Sequence, residues 1–463
     1  MQKKISRRDF ARRTALSGLG IGMGLRTGAL DGWAASAVDR VSGRFFEIDS
    51  IKRTTVKIPF RRTPERAMNR ELPHWRYSEI FQVELKSGHI GIGETLLYYT
   101  WGVSSDEDVS GALGRNALDL MWDDGLGAGL QMALFDAVAK TAEVPVHRLL
   151  GSQVHEKTPL SWWNIDMPTE DMASECREAH QSGYMSYKTK GRPWFDILDQ
   201  VKVAAKAVPE EFKIDMDFND TLLTADRGIP ILKALERYPQ IDIYETPIPQ
   251  RDVEGNRRIR EATRVNIALH YGTPPPEIVV REGVCDGFVI GGGARRVMQQ
   301  GQFAGEVKMP FWLQLVGTGI TAAFSLHFGA VLRQAKWPAV NCHQLYTHSM
   351  LEEPINVVGG AALVPEVPGI GYSLNEEALE RFRVERPSER PDPPRLVETA
   401  WPDGRKMYFA SNGKVNFMLT EGIKGSIPYY VPGVRTRQVP NDGSAVWREL
   451  YDRARNGAFI TEG

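Results

Sequence analysis

Short apolar runs alternate with amphipathic stretches along the middle of the chain, between about residues 159 and 343. The runs are five to seven residues long and are separated by stretches with helical spacing, such as 196–208 and 228–238. The predicted strands are 159–165, 186–190, 212–218, 241–247, 266–272, 286–291, 311–317 and 339–345. This regular alternation predicts a parallel sheet, and eight units predict an α/β barrel, a TIM-like (β/α)7-8 fold.

The segments on either side of the predicted barrel have different patterns. Residues 45–85 alternate as half-buried strands do, and residues 117–150 have helical spacing, so the pattern predicts an α+β capping domain. The Pro-rich run 386–395 predicts a connector, and a hairpin about Asn412-Gly413 and a terminal helix follow it. The expected domains are a capping domain over 42–155 (completed by about 355–385), a barrel over 156–354 and a small C-terminal extension over 386–463.

The first 37 residues have the features of an export signal. Ser6-Arg7-Arg8-Asp9-Phe10 is a twin-arginine signature, an apolar run over 15–25 follows it, and Ala35-Ser36-Ala37 suits signal-peptidase cleavage. A disordered basic tail is the alternative, but three features in this order favour a signal peptide over 1–37. We therefore expect export by the twin-arginine route to the periplasm or another extracytoplasmic compartment.

Composition and charge argue against several classes of function. The chain has 42% hydrophobic and 25% charged residues, which is ordinary for a soluble globular protein. Its formal net charge of −1 argues against a broad basic surface for nucleic acid or anionic lipid. Three cysteines without zinc-type spacing cannot form a disulfide framework. We expect no nucleic acid partner and no membrane association of the mature chain.

Polar residues end four consecutive strands of the predicted barrel, where the active sites of such barrels lie. They are Lys188, Lys190, Asp217, Asn219, Glu245 and His270. Two carboxylates with an amide or imidazole suit a divalent metal such as Mg²⁺. Neighbouring, partly buried lysines act as bases when their pKa is lowered. Each motif alone has a simpler explanation, such as a solvated strand end or a turn, but their joint occurrence on successive strands favours a functional site.

These motifs and several others resemble the enolase superfamily, in its mandelate racemase and muconate-lactonizing branch. The resemblance covers about residues 45–384. It rests on HIGIGE (89–94), ALFDAVAKTAEVPVHRLLG (133–151), YKTK (187–190), DMDFN (215–219), YETPIP (244–249), AAFSLHFGA (322–330) and VPEVPGIGYSLNEEALERFRV (364–384). Singly these are weak motifs, but their order and spacing are specific.

The resemblance implies removal of a proton next to a carboxylate, with Mg²⁺ stabilising the enolate. Lys190 matches the base of the family's KxK motif, and Lys188 is expected beside it, contacting the substrate carboxylate. Asp217 and Glu245 match the first two metal ligands. At the third, normally acidic, position stands His270, which also admits Mn²⁺, Fe²⁺ or Zn²⁺. The candidate substrate contacts are Asn164, Asn219 and His343. The resemblance also implies a homo-oligomer acting on a small carboxylate.

A second acid/base group is missing from the two places where the family has one. Glycine stands at 291 and 317, where the muconate-lactonizing branch has a lysine and an acidic residue, and no histidine ends strand seven. The remaining candidates are His343, His348 and Tyr271, whereas His327 is predicted to be structural. In the capping domain, the arginines and His74 of the loop 61–75 would suit a polyol acid.

With one identifiable base, the sequence predicts a sugar-acid dehydratase, a lyase. A racemase or epimerase of the same superfamily is the first alternative, since such enzymes usually need a second base. The other alternative is an exported barrel that has lost catalysis and binds a ligand.

Overall fold

The computed structural model describes residues 43–99 and 102–462. The predicted signal peptide over 1–37 lies outside the described residues, so it stays a prediction. Within the described ranges, no helix is both long and apolar enough to cross a membrane.

The capping region is a three-stranded antiparallel sheet with helices packed on it. Its elements are β1 (Ile48–Lys57), α1 (Arg62–Glu71), β2 (Tyr77–Leu85), β3 (Ile90–Leu96), α2 (Asp106–Ala112), α3 (Ala117–Leu120), α4 (Ala128–Thr141) and α5 (Val146–Leu150). Two glycines of β3 let α4 approach closely. A Cβ at Gly91 would lie 2.1 Å from the carbonyl oxygen of Ala133, and one at Gly93 would lie 2.1 Å from that of Gly129. The glycines of HIGIGE are thus packing residues.

The barrel contains eight parallel strands, and all eight predicted strands are confirmed. The strands are β4 (Lys157–Trp163), β5 (Ser186–Lys190), β6 (Lys213–Asp217), β7 (Ile241–Glu245), β8 (Asn266–His270), β9 (Gly287–Ile290), β10 (Phe311–Leu313) and β11 (Ala339–Val340). They follow the order β11-β4-β5-β6-β7-β8-β9-β10. At the seam, Gly317 N donates to Asn341 O at 3.0 Å, and Asn341 Nδ2 donates to Leu315 O at 2.8 Å.

Helices separate the strands as the alternation predicts, and a short antiparallel pair returns to the capping region. The helices are α6 (Thr169–Gln181), α7 (Ile197–Ala205), α8 (Ala225–Leu235), α9 (Val253–Ala262), α10 (Pro276–Glu282), α11 (Ala294–Glu306) and α12 (Gly319–Val331). After β11 come β12 (Val357–Val358), β13 (Ala361–Leu363) and α13 (Glu376–Phe382). The α+β cap on a TIM-like barrel is therefore confirmed.

The C-terminal extension is a four-stranded antiparallel sheet with two helices. Its elements are β14 (Leu396–Ala400), β15 (Lys406–Ala410), α14 (Phe417–Lys424), β16 (Arg435–Val439), α15 (Ala445–Asn456) and β17 (Phe459–Thr461), with strand order β16-β14-β15-β17. The predicted hairpin about Asn412-Gly413 is wrong, because β15 pairs with β14 and β17 and the residues after the turn form α14. The observed hairpin turns at Pro402-Asp403-Gly404, where Gly404 has a φ of +92°.

Candidate active site

A cavity of about 360 Å³ lies at the C-terminal ends of the barrel strands. Its polar lining is Lys188, Lys190, Arg192, Asp217, Asn219, His270, Gln314 and Asn416. Its apolar and aromatic lining is Leu72, Trp75, Tyr98, Tyr99, Trp163, Ile165, Val316, Val340, Cys342, Val415 and Leu419. The polar groups are concentrated on the strand ends, whereas residues from the capping region and the extension are mainly apolar.

Strand register brings the predicted site residues to one level. Lys190 is paired with Asp217 across β5 and β6, and Asp217 with Glu245 across β6 and β7. Since side chains alternate along a strand, Lys188 and Lys190 share a face. Both lysines line the cavity, Lys188 with 1% and Lys190 with 16% of its side chain exposed.

Each predicted metal carboxylate forms an ion pair with one of the two lysines. Lys190 Nζ lies 2.5 Å from Asp217 Oδ2, and Lys188 Nζ contacts Glu245 Oε2. Lys188 also donates to Gln314 Oε1 at 3.0 Å and lies 4.6 Å from the centre of the Trp312 ring. Both ion pairs are largely buried, so each lysine neutralises the charge of its carboxylate where water does not solvate it.

Glu245 also contacts His270, whose Nε2 lies 2.9 Å from Glu245 Oε1. Burial alone would raise the pKa of Glu245, but the Lys188 ammonium and the His270 ring hold it well below its ordinary value. The carboxylate therefore stays ionised. The imidazole itself is 42% exposed and lines the cavity, so it can reach a bound molecule.

Arg192 is a site residue that the sequence analysis did not identify. It lies two residues beyond Lys190, and its guanidinium donates to Phe218 O at 2.7 Å and to Asn219 Oδ1 at 2.6 Å. Asn219 also accepts from Lys190 at 3.2 Å and has a φ of 44°, a conformation that asparagine tolerates. The spacing Lys188-x-Lys190-x-Arg192 has the period of a strand, but β5 ends at Lys190, so this spacing alone does not place Arg192 in the site.

Two of the predicted substrate contacts do not line the cavity. Asn164 is fully buried, and its side-chain amide has no hydrogen-bond partner among the described residues. His343 is hydrogen-bonded to the Tyr184 hydroxyl at 2.9 Å, and burial lowers its pKa to about 4. The neutral, buried ring of His343 therefore contributes to the packing of the protein.

The other candidates for a second acid/base group also lie outside this cavity. His348 Nδ1 accepts from Met350 N at 2.9 Å. Tyr271 lines a neighbouring depression, and its ring packs 5.2 Å from that of Phe288. His327 is buried, accepts from His147 N at 3.2 Å and is structural, as predicted. Of the histidines in the described ranges, His270 lines the cavity.

Three of the four arginines in the loop 61–75 are bound to barrel carboxylates, and none of the four lines the cavity. Arg61 pairs with Glu175 at 2.5 Å, Arg66 with Asp171 at 2.6 Å and Arg70 with Asp166 at 2.5 Å. His74 is buried, and burial together with Arg390 and Arg395 lowers its pKa to about 3. The loop instead contributes Leu72 and Trp75 to the cavity. The expectation that its arginines and His74 contact a polyol is therefore wrong.

Comparisons with known proteins agree with this geometry. A family model described as Enolase C-terminal domain-like matches residues 171–378. The arabinonate dehydratase of Saccharolobus solfataricus is 22% identical over 338 residues, which cover 65% of this chain and 89% of that protein. The chloromuconate cycloisomerase of Cupriavidus pinatubonensis is 24% identical over 341 residues, covering 66% and 91%.

Solved structures show the same fold. The muconate lactonizing enzyme from Pseudomonas fluorescens, complexed with muconolactone, matches with a TM-score of 0.60 at 22% identity and covers 73% of this chain and 100% of that one. The chain belongs to the enolase superfamily. Within the superfamily it falls in the mandelate racemase and muconate-lactonizing branch. About a quarter of this superfamily member has no counterpart in the muconate lactonizing enzyme.

Membership of the enolase superfamily implies a divalent metal, for which Asp217, Glu245 and His270 are the predicted ligands. Both carboxylates, however, are held by lysine ammonium groups. In the part of the chain that the structure describes, no three His, Cys, Asp or Glu side chains are placed to bind one ion together. The present arrangement of these side chains does not fit a three-ligand metal centre, and the metal stays a prediction.

Proposed function

We propose that this enolase superfamily member removes a proton from the carbon next to the carboxylate of a small substrate, with Lys190 as the base. The observation that supports this most directly is the position of Lys190. It is a partly exposed amine at a strand end, lining the cavity beside the more deeply buried Lys188. A catalytic base has to lie within reach of the bound substrate, and Lys190 lies on the wall of the cavity.

The charges around the cavity suit an anionic substrate. Lys188, Lys190 and Arg192 line it, whereas Asp217 contributes the one carboxylate among the described lining residues. A substrate carboxylate placed against Lys188 and Arg192 is stabilised further as negative charge develops on its oxygens, because the site is largely shielded from water. Lys190 takes the proton as the neutral amine, and Asp217 Oδ2 lies 2.5 Å from its nitrogen.

For the net reaction, we propose elimination of a hydroxyl group from a hydroxy acid. Lys190 takes the α-proton of a 2,3-dihydroxy acid, His270 protonates the departing β-hydroxyl so that it leaves as water, and the resulting enol tautomerises to a 2-oxo acid. The supporting observation is that His270 is the exposed imidazole in the cavity, whereas the other candidates lie elsewhere. Dehydratases of arabinonate and of D-gluconate are among the relatives, which supports the prediction of a sugar-acid dehydratase.

A racemase or epimerase is the second candidate. It is favoured by the same pair of groups, because Lys190 and His270 can serve as two separate acid/base residues. A Bacillus cereus relative named N-succinyl-L-Arg/Lys racemase, 23% identical over 270 residues, also supports it. Export and a homo-oligomeric state remain proposals, supported by the N-terminal motif and by the family. A divalent metal, also supported by the family, would take His270 as a neutral ligand, so metal binding by His270 and its role as the acid are alternatives.

Product analysis tests this proposal and separates its two forms. The purified protein is incubated with arabinonate, gluconate or N-succinyl-L-arginine, with and without Mg²⁺ or Mn²⁺, and 2-oxo acids and changes of stereochemistry are followed. We expect a 2-oxo acid from a hydroxy acid, lost in Lys190→Met and kept in Lys202→Met, an exposed lysine of α7. Inverted stereochemistry without a 2-oxo acid would support the isomerase, and an unimpaired Lys190→Met enzyme would rule out the assigned base.

A further inference from the structure

We propose that the C-terminal extension is a fixed wall of the active-site cavity, and that it narrows the proposed hydroxy-acid substrate from a polyhydroxylated sugar acid to a carboxylate with an apolar body. This inference rests on the proposed function, because it assumes that the cavity holds the reacting carboxylate. It concerns Val415, Asn416 and Leu419, which lie at the start of α14 and line the cavity together with the catalytic lysines.

The extension is anchored on the loops that follow the two strands with the main site residues. Tyr430 is buried, and its hydroxyl lies 2.7 Å from Thr221 Oγ1 and donates to Gly191 O at 3.1 Å. Gly191 comes directly after Lys190, and Thr221 lies four residues beyond Asp217. Movement of the extension would therefore disturb both of these strand ends.

A second set of contacts holds α14 itself. Phe417 and Met418 are buried in a hydrophobic cluster with Trp194, which belongs to the loop after β5. Gly422 passes so close to this loop that a Cβ there would lie 3.2 Å from the Trp194 ring. Thr436 Oγ1 donates to Trp194 O at 2.6 Å. The helix is thus packed in place as part of the molecule's core.

The surface that α14 offers to the cavity is mainly apolar. Val415 and Leu419 present aliphatic side chains, and the capping region adds Leu72 and Trp75. Asn416 is the polar exception, and its side chain makes no hydrogen bond to the helix that it begins. A polyhydroxylated chain in this part of the cavity would lose hydrogen bonds to water without replacing them, at a cost in affinity.

The cavity lining therefore combines three cations with apolar side chains from the extension and the capping region. The cations Lys188, Lys190 and Arg192 hold the carboxylate, and the wall formed by Val415 and Leu419 contacts the body of the substrate. Asn416 can satisfy one hydrogen-bonding group. The substrate class that this arrangement fits is a carboxylate whose body is mostly apolar, with few hydroxyl groups beyond the α- and β-hydroxyls that react.

Two six-carbon carboxylates that differ in their hydroxyl groups test the inference. Hexanoate and D-gluconate are titrated into the full chain, and their dissociation constants are measured by calorimetry or ligand-observed NMR. We expect hexanoate to bind at least about tenfold more tightly, the difference that one or two buried methylene groups supply. Leu419→Asn should weaken hexanoate about tenfold, and Ile423→Asn, an exposed position one turn later on the same helix, should not.

Val415→Asn is the second variant, because Val415 is 41% exposed and its replacement leaves the packing of α14 intact. It should also weaken hexanoate. Equal or tighter binding of gluconate, binding of neither compound, or identical behaviour of the Val415 and Ile423 variants would overturn the inference. Hexanoate binding that depends on Val415 and Leu419, without turnover of any carboxylate, would leave the wall established and remove the catalytic proposal instead.

Discussion

The two lysines of β5 each neutralise a carboxylate at the barrel mouth. Lys188 with Glu245 forms the deeper pair, since both side chains are 1% exposed. A buried pair adds little net stability compared with apolar residues, but removing one partner leaves a buried charge without compensation. The pair between Lys190 and Asp217 is more exposed and borders the cavity. We therefore expect Lys188 and Glu245 to position other groups of the site, and Lys190 of the second pair to take part in the reaction.

At this scale we predict that Lys188→Met destabilises the chain by about 3 kcal/mol or more, because Glu245 keeps its charge without its main partner. Adding Glu245→Gln to this variant should restore part of the loss, because the double variant buries no unpaired carboxylate. Urea unfolding of the wild type, both single variants and the double variant measures the coupling. Additive losses would show that the ion pair contributes no interaction free energy.

The site residues on strands were predictable from the sequence, and the one in a loop was not. Lys188, Lys190, Asp217 and Glu245 end strands, so period-two alternation and strand order determine where they meet. Arg192 lies beyond the strand, and its position depends on hydrogen bonds to Phe218 O and to the Asn219 side chain. No local pattern encodes such contacts.

At the scale of elements, the loops after β5 and β6 are stabilised by the extension. Tyr430 is the central contact, because its hydroxyl reaches both loops and its ring lies 6.4 Å from that of Phe218. The neighbouring Tyr429 is more exposed and donates to Leu222 O at 3.2 Å. The two tyrosines therefore form a matched pair with different roles.

We predict that Tyr430→Phe lowers the free energy of unfolding by about 1–3 kcal/mol, since it removes the two buried hydrogen bonds of the hydroxyl, to Thr221 Oγ1 and to Gly191 O. It should also raise the KM of the proposed reaction more than it lowers kcat, because the Val415–Leu419 wall is loosened while Lys190 is kept. Tyr429→Phe is the control and should change both quantities less. Denaturant unfolding and steady-state kinetics measure them, and equal effects of the two variants would contradict the special role of Tyr430.

The elements that the sequence did not predict lie in the extension. Eight barrel strands were found because each is a short apolar run between helices, and the parallel sheet requires that pattern. The segment 405–419 was predicted to be a hairpin because Asn-Gly is the common two-residue turn. The extension sheet places β14 and β17 beside β15, so the residues after the turn pack as a helix on the barrel loop instead. Contacts between residues distant in sequence therefore determine that this segment forms a helix.

At the scale of the whole molecule, hydrogen bonds join the capping region, the barrel and the extension. Arg395 of the extension donates to Arg70 O at 2.8 Å, and Arg70 pairs with Asp166 at 2.5 Å. Asp166 Oδ2 also accepts from Trp194 Nε1 at 2.7 Å. The three regions therefore meet at the buried Arg70, and they are expected to unfold together.

Buried neutral histidines predict how the stability of this unit depends on pH. Burial lowers the pKa of His327 to about 3. As the pH falls below about 6.5, His327 is therefore protonated in the unfolded chain but stays neutral in the folded chain. Its contribution is complete above pH 6.5 and is lost as the pH falls, by about 1.4 kcal/mol per pH unit. Relative to the wild type, the free energy of unfolding of His327→Asn should rise by about 1.4 kcal/mol for each unit that the pH falls from 6.5 to 4.

Comparing the variant with the wild type cancels the contribution of buried carboxyls such as Glu94, whose raised pKa changes stability in the opposite direction. His89→Asn, at an exposed position, is the control for the substitution itself. Urea unfolding at several pH values gives the two differences. A constant difference between His327→Asn and the wild type would show that the His327 ring is not neutral in the folded chain.

The central claim, that Lys190 removes the α-proton, is tested most directly by hydrogen exchange at the α-carbon. The carboxylates used for product analysis are incubated with the protein in D₂O, and deuterium at that carbon is measured by NMR and mass spectrometry. We predict incorporation with the wild type and with Lys202→Met, and none with Lys190→Met when its fold is intact. Exchange that persists in Lys190→Met, or its absence with the wild type for every carboxylate, would contradict the account.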